Sequence, residues 1–422
     1  MDTLLVQRAQ FQGREVDLRV SRGRIAQISV EPLLPHSEET LLDASGQILA
    51  PAFYNGHTHA AMNLLRGFAD DLPLMDWLQN HIWPAEAHLT EDLVYAGARF
   101  AMLEMIKSGT VFLNDMYWHA PAVARAAEEM GLRAAISLHT VETGGPGRDD
   151  PRNVADKLRL KDLPRSAADG RIFATWAPHA IYTVCEQTLR TIADQARAEG
   201  AFVHMHVSET RGEVETCRRE HGGRTPVRYL ADLGLVGPKS IFAHCVHLTD
   251  EDVKILADRG AVLVHNPQSN LKLDSGFFQL GRVQKGGCRV ILGTDGCASN
   301  NSVSMFGEMK TAALLAKTVA DDPTVGAAPT VYRMATRGGA EAFGLEAGEI
   351  AEGRLADFIL LDARSTYLNP GHNLVSDLVY AADSSCVDTV VCNGRVLMRH
   401  RQVPHEDEIL ASARRTAEQL VK

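Results

Sequence analysis

A chain of 422 residues is long for one compact domain and short for three, so one large domain with a smaller appendage is the default organisation. Its 45% hydrophobic and 23% charged residues are those of an ordinary globular protein, and a net charge of -10 with no clustered basic face argues against a nucleic-acid binder. No run approaches the roughly 18 consecutive apolar residues of a membrane span, MDTLLVQRAQ lacks the features of a signal peptide, and seven scattered cysteines without a C-x-x-C pair point to reduced thiols in the cytoplasm.

The first fifty residues read as short strands, TLLVQRAQF, EVDLRVSRG and RIAQISV, with an Arg-Gly turn that predicts hairpins. From about 51 helical segments alternate with short apolar runs. EDLVYAGARFAMLEMIKSG precedes TVFLND, APAVARAAEEMG precedes LRAAISLH, and a helix ending near Gly200 precedes AFVHMHVSE. TDEDVKILADRG opens with a capping-box pair, Thr249 and Asp252, closes on Gly260 and leads into AVLVHNP; CRVILGTDG follows. This alternation over about 300 residues predicts an α/β fold, a closed (β/α)8 barrel over 51–349. Strand character returns in GRLADFILLDA and VDTVVCNGRVLMRH, the latter with an Asn-Gly hairpin signal, so 1–50 and 350–404 are expected to form one small β-domain. Residues 405–422, HEDEILASARRTAEQLVK, read as a terminal helix.

Four apolar runs end in groups that bind metals or carry protons. In FYNGHTHA, His57 and His59 are two apart and so point to one side of an extended segment. Alone, such a pair fits core or turn histidines. The pattern recurs, however, in FVHMHVSET with His206 and Glu209, in IFAHCVHL with His244 and in ILGTDG with Asp295, and barrel active sites gather where strands end. Imidazoles with one carboxylate suit zinc, with iron(II) or manganese chemically admissible. His57, His59, His206 and Asp295 are the expected ligands, Glu209 the acid/base, and His244 the group that orients the attacking water. His204 shares the parity of His206 and is expected one layer down in a structural role; no role is assigned to His247 or His265.

These stretches, with H-N-P-Q-S-N-L-K-L and G-T-D-G-C-A-S-N-N, resemble the amidohydrolase superfamily over nearly the whole chain. NGHTHAAMNLLRGFADDLPLMDWLQNHIWPAE closely resembles the 5'-methylthioadenosine/S-adenosylhomocysteine deaminases. The resemblance implies a TIM-like barrel with a β-sandwich built from both chain ends, and hydrolytic deamination of an adenine ring to hypoxanthine with release of ammonia. It also implies a purine nucleoside substrate, no nucleic-acid or membrane partner, and association into homo-oligomers. Where two-metal members carry a lysine at the end of strand four, this chain has ATWAPHA with His179, which implies a single zinc per subunit.

By the same resemblance Asp295 takes a proton from the attacking water and Glu209 delivers one to N1 of the ring. His179 is placed to donate to N3 or N7, the alternative being a plain turn histidine. Glu86 resembles the residue that accepts from ribose hydroxyls, the alternative being a solvated helix-start glutamate. Trp77 packs against the ribose or its 5'-substituent unless it is core. Ser299 caps a helix or contacts the site. In VETGGPGRDDPRN the resemblance weakens: Arg148 and Arg152 are available for the carboxylate of S-adenosylhomocysteine but neither aligns with a family position, so adenosine and methylthioadenosine are the firmer substrates. Two other classes compete: an amidohydrolase acting on guanine, cytosine or a triazine, and a non-catalytic scaffold that kept the barrel.

Overall fold

The computed structural model describes residues 3–160 and 167–420. Five strands open the chain: β1 (Thr3–Phe11), β2 (Arg14–Ser21), β3 (Arg24–Ser29), β4 (Glu39–Asp43) and β5 (Gln47–Pro51). Eight follow in alternation with helices: β6 (Phe53–Thr58), β7 (Thr110–Asp115), β8 (Arg133–Thr140), β9 (Ile172–Pro178), β10 (Val203–Val207), β11 (Ser240–His244), β12 (Val262–His265) and β13 (Arg289–Leu292). β14 (Phe358–Asp362), β15 (Val387–Cys392) and β16 (Arg395–Met398) precede a last helix, Glu406–Leu420.

Strands β6 to β13 lie side by side in sequence order, all parallel. Every residue of β6, β7, β8, β10, β11 and β12 is buried, because helices cover the outer face while side chains fill the interior. The seam closes just beyond β13, where the N–H groups of Thr294 and Asp295 donate to the His57 carbonyl at 3.1 and 3.0 Å. Asn55 braces it: Oδ1 accepts from Thr294 N at 3.1 Å and Nδ2 donates to Thr294 Oγ1 at 2.7 Å. Glycine is required here, since a Cβ on Gly293 would stand 2.8 Å from His57 N and one on Gly56 2.5 Å from Ile291 Cδ1. The small residues of NGH and LGTDG are therefore what lets first and last strands meet.

The remaining strands form one mixed sheet, β16-β15-β14-β5-β1-β2-β3, with β4 beside β1. The Arg-Gly and Asn-Gly signals are hairpin turns with φ of 52° and 73° at Arg22 and Gly23, and 52° and 76° at Asn393 and Gly394. The sheet folds back on itself around its own core of Leu4, Val6, Leu18, Ile25, Phe358 and Leu360. Ile25 N donates to Arg354 O at 2.8 Å, and Gly353 N donates to Ile25 O at 2.8 Å. The helix Asp250–Arg259 carries the expected capping box, and Gly260 ends it in the left-handed conformation. No helix among the described residues is long and apolar enough to cross a membrane.

Candidate metal centre and active site

At the carboxyl ends of β6, β10, β11 and β13 the barrel gathers five metal-binding side chains. The ligand atoms of His57, His206, His244 and Asp295, all buried, lie within 4.8 Å of one another. His59 joins them, its Nε2 3.1 Å from Asp295 Oδ1 and 3.3 Å from His206 Nε2. His57 Nε2 is 3.2 Å from the same Asp295 oxygen. The sequence reading gave His244 an orienting role only; the structure puts its ring within the cluster.

The backbone bends sharply to bring these groups inward. Ser208, His244 and Asp295, each just past or at a strand end, have φ of 52°, 70° and 61°. Left-handed non-glycine residues cost on the order of 1–3 kcal/mol each and concentrate at functional sites.

A second layer of partners turns the rings. His59 Nδ1 faces the Met116 carbonyl, His206 Nδ1 donates to His179 O at 2.9 Å, and His244 Nδ1 donates to Asn270 Oδ1 at 2.8 Å. His57 Nδ1 meets His204 Nε2 at 2.8 Å, so the residue expected to be structural supports a ligand directly. With each Nδ1 engaged, each Nε2 is turned to the centre, the arrangement metal-bound histidines show. Ser269 and Ser299 both donate to Asp295 Oδ2, at 2.6 and 2.8 Å, which leaves Oδ1 to the cluster.

The electrostatics agree with a bound cation. Burial pushes His57 down to about 4 and His206 well below its usual value, so both rings are neutral and able to coordinate. Burial also opposes protonation of His59, but hydrogen bonding and charge from Asp295 outweigh it and raise the ring to about 9. Burial raises Asp295 too, yet its bonds to His57 and His59 hold the carboxylate well below its usual range. A buried spot that favours positive charge beside neutral imidazole lone pairs suits a divalent metal, and these residues can hold one.

One pocket opens onto the cluster, lined by His59, His206, His244 and Asp295 at one end and by Trp77, Glu86, Trp118 and His139 along its walls. Glu209 lies in it, Oε2 3.8 Å from His244 Nε2, with Ser275 Oγ donating to Oε1 at 3.2 Å. Burial raises its carboxyl above the ordinary range. The turn that aims it is held by Glu213, whose two oxygens accept from Ser208 N and Glu209 N at 2.9 and 2.8 Å. The T-x-x-E spacing of Thr210 and Glu213 was the available signal for that residue.

Glu86 is 6% exposed, not a solvated helix-start residue; it accepts from Trp118 Nε1 at 3.2 Å, and burial raises its carboxyl. His179 lines the pocket, Nδ1 bonded to Thr183 Oγ1 at 3.1 Å and the ring lowered to about 3, chiefly by burial. Trp77 is 4% exposed and lines the pocket on a π-helical turn, Trp77–Ile82, its Nε1 without a partner among the described residues. Ser299 lines it as well.

The arginines of the loop after β8 are not brought in. Arg148 is exposed and does not line the pocket. Arg152 pairs with Asp150 through Nε and Nη2 at 2.9 and 3.2 Å and stacks on Trp118 at 4.0 Å. His247 Nε2 bonds to Ser275 O and His265 stacks on Phe278; neither lines the pocket.

Residues 48–397 match the model of the amidohydrolase family. The chain is 45% identical over 386 residues to a 5'-deoxyadenosine deaminase of Methanothermobacter thermautotrophicus, covering 92% of this chain and 90% of that one. It is 42% identical over 389 residues to a 5-methylthioadenosine/S-adenosylhomocysteine deaminase of Thermococcus onnurineus, covering 92% and 91%. The crystal structure of an adenosine deaminase from Xanthomonas campestris with bound zinc superposes with a TM-score of 0.90 at 34% identity, covering 99% and 98%. With its barrel, its strand-end cluster and these matches, the chain belongs to the amidohydrolase family.

Proposed function

We propose that this protein hydrolytically deaminates the adenine ring of nucleosides such as 5'-deoxyadenosine, 5'-methylthioadenosine and adenosine, releasing ammonia and leaving a hypoxanthine ring on the intact nucleoside. The observation that carries the reading is the shared pocket: a buried glutamate beside a histidine–aspartate cluster at one end, and a second buried carboxylate, Glu86, on the wall. The relatives named above are deaminases of such nucleosides.

His57, His59, His206 and Asp295 would hold one zinc ion, with His244 against it. Bound there, the metal supplies a Lewis acid that brings water into ionisation range near neutral pH. Asp295, anchored through Oδ2 by Ser269 and Ser299, accepts the proton of the attacking water on its remaining oxygen. Glu209, its carboxyl raised above the ordinary range by burial, delivers a proton to ring nitrogen N1 and then assists ammonia to leave. His244, Nδ1–H fixed on Asn270, turns Nε2 toward the reacting water. His179 faces the purine edge, and Glu86 accepts from ribose hydroxyls.

The 5'-substituent is small or uncharged. Arg152 is spent on Asp150 and Trp118, and Arg148 lies outside the pocket, so among the described residues no free guanidinium lines the pocket for an amino-acid carboxylate. All seven cysteines are free thiols, which suits the reducing cytoplasm proposed as its setting.

The deciding experiment incubates metal-free and zinc-loaded protein with adenosine, 5'-deoxyadenosine, 5'-methylthioadenosine, S-adenosylhomocysteine and guanine and follows the ultraviolet change of ring deamination. Zinc-dependent turnover of the first three is expected. Turnover of guanine with none of the adenine nucleosides, or failure to take up zinc, would refute the reading.

A further inference from the structure

We infer that His139 is a specificity-determining residue that hydrogen-bonds a hydroxyl of the substrate's sugar, an inference that rests on the nucleoside reading above. His139 is the second-last residue of β8, 6% exposed, and lines the pocket that holds the metal cluster and Glu209. Neither Nδ1 nor Nε2 has a hydrogen-bond partner among the described residues. Asn153 lies beside the ring and favours its protonated form but does not meet it in hydrogen-bonding geometry; its amide N–H donates to Asp149 Oδ1 at 3.2 Å, and its own Oδ1 is unpaired.

Such a residue is out of place in a wall that only needs packing. A buried polar atom without a partner costs about 1–3 kcal/mol, and an apolar side chain of similar size would avoid that twice over. The ring is instead held where a ligand would meet it. It stands edge-on to Trp118, centroids 4.9 Å apart at 81°, and the same indole donates to Glu86. On its other side the His179 ring lies 6.1 Å away. His139 thus belongs to the wall that carries Glu86, between the groups assigned to the sugar and to the purine edge.

Its chemistry narrows what it meets. Burial, with the cation Lys157 and the His59 and His179 rings nearby, holds the imidazole well below its usual value and so neutral. A neutral imidazole offers one N–H and one lone pair. A purine ring nitrogen would use only the donor, and a thioether would use neither well. A hydroxyl uses either, and the sugar of every substrate proposed above carries two, at C2' and C3', which Glu86 and His139 can share.

The test is steady-state kinetics of zinc-loaded wild type, His139→Leu and His139→Asn on adenosine and its 2'-, 3'- and 5'-deoxy analogues, with zinc content and melting temperature measured alongside. Wild type should disfavour one deoxy analogue by roughly tenfold in kcat/KM, about the worth of one hydrogen bond, mostly through KM. His139→Leu should abolish that preference, while His139→Asn, which keeps a donor and an acceptor, restores part of it. An equal loss on all four substrates, or unchanged ratios in both variants, would overturn the assignment while leaving the deaminase reading intact. Absence of turnover of all four by zinc-loaded wild type would overturn both.

Discussion

Glu209 has a buried carboxyl whose surroundings suit the proton-transfer role proposed for it. Burial raises its affinity for a proton, Ser275 fixes one oxygen, and the other stands 3.8 Å from His244. Its backbone N–H is tied to Glu213, so the side chain enters the pocket from a rigid turn. Glu209→Gln keeps size and polarity but cannot deliver a proton. We expect zinc content to stay at wild-type level while kcat falls about 10²- to 10⁴-fold, the usual worth of a general acid–base group. Elemental analysis and initial rates on the same preparation check this, and near-normal turnover would remove Glu209 from the proton path.

At the scale of elements, the strand ends explain what could be read in advance. His57 and His59, or His206 with Glu209, are close in sequence, so a period of two and a short turn suffice to place them together. The hairpins were equally local, announced by Arg-Gly and Asn-Gly. What stayed hidden depends on closure. His139 and Asn270 reach the site only because separate strands converge, and Arg148 and Arg152 looked suitable for a ligand because sequence does not reveal that Asp150 and Trp118 claim Arg152. Nor did it reveal Glu308, in the first turn of the helix Met305–Ala320 behind the site, fully buried and accepting from Asn300 Nδ2 at 2.6 Å and Gln268 N at 3.3 Å. Burial pushes its carboxyl up from 4.5 to about 8. The folded state therefore keeps a proton that the unfolded chain releases at lower pH. That contribution is complete below about 4.5 and is lost as pH rises through about 8. Glu308→Gln carries no such penalty, so its melting temperature should gain on wild type between about pH 4.5 and about pH 8, the span across which the unfolded chain has released the proton and the folded state still holds it. A constant difference across that span would show that Glu308 titrates as an ordinary carboxylate.

For the molecule as a whole, the barrel and the small sheet are joined by a buried charge network. Arg133, at the start of β8, donates Nε to Asp357 Oδ2 at 2.7 Å and Nη2 to Asp357 Oδ1 at 3.2 Å; Asp357 immediately precedes β14. Tyr54 of β6 donates its hydroxyl to the same carboxylate at 2.8 Å, and Asn393 N, from the β15–β16 turn, donates at 2.7 Å. Asn393 Oδ1 in turn accepts from Arg133 Nη2 at 2.9 Å. The carboxylate accepts four hydrogen bonds and the pair is almost entirely out of water, which is the geometry in which removing one partner is far costlier than the pair's net worth. Asp357→Ala strands a buried guanidinium and should cost about 3–5 kcal/mol in denaturant unfolding. Removing the surface pair Lys254–Asp258, 74% and 60% exposed, should leave the midpoint where it was. Arg133→Met combined with Asp357→Leu removes both charges, and apolar replacement of a buried ion pair is often neutral, so the double variant should recover much of the loss seen for Asp357→Ala. If it is instead as unstable as that single variant, the hydrogen bonds of Tyr54 and Asn393 to the carboxylate, and not the unpaired charge, hold the two sheets together.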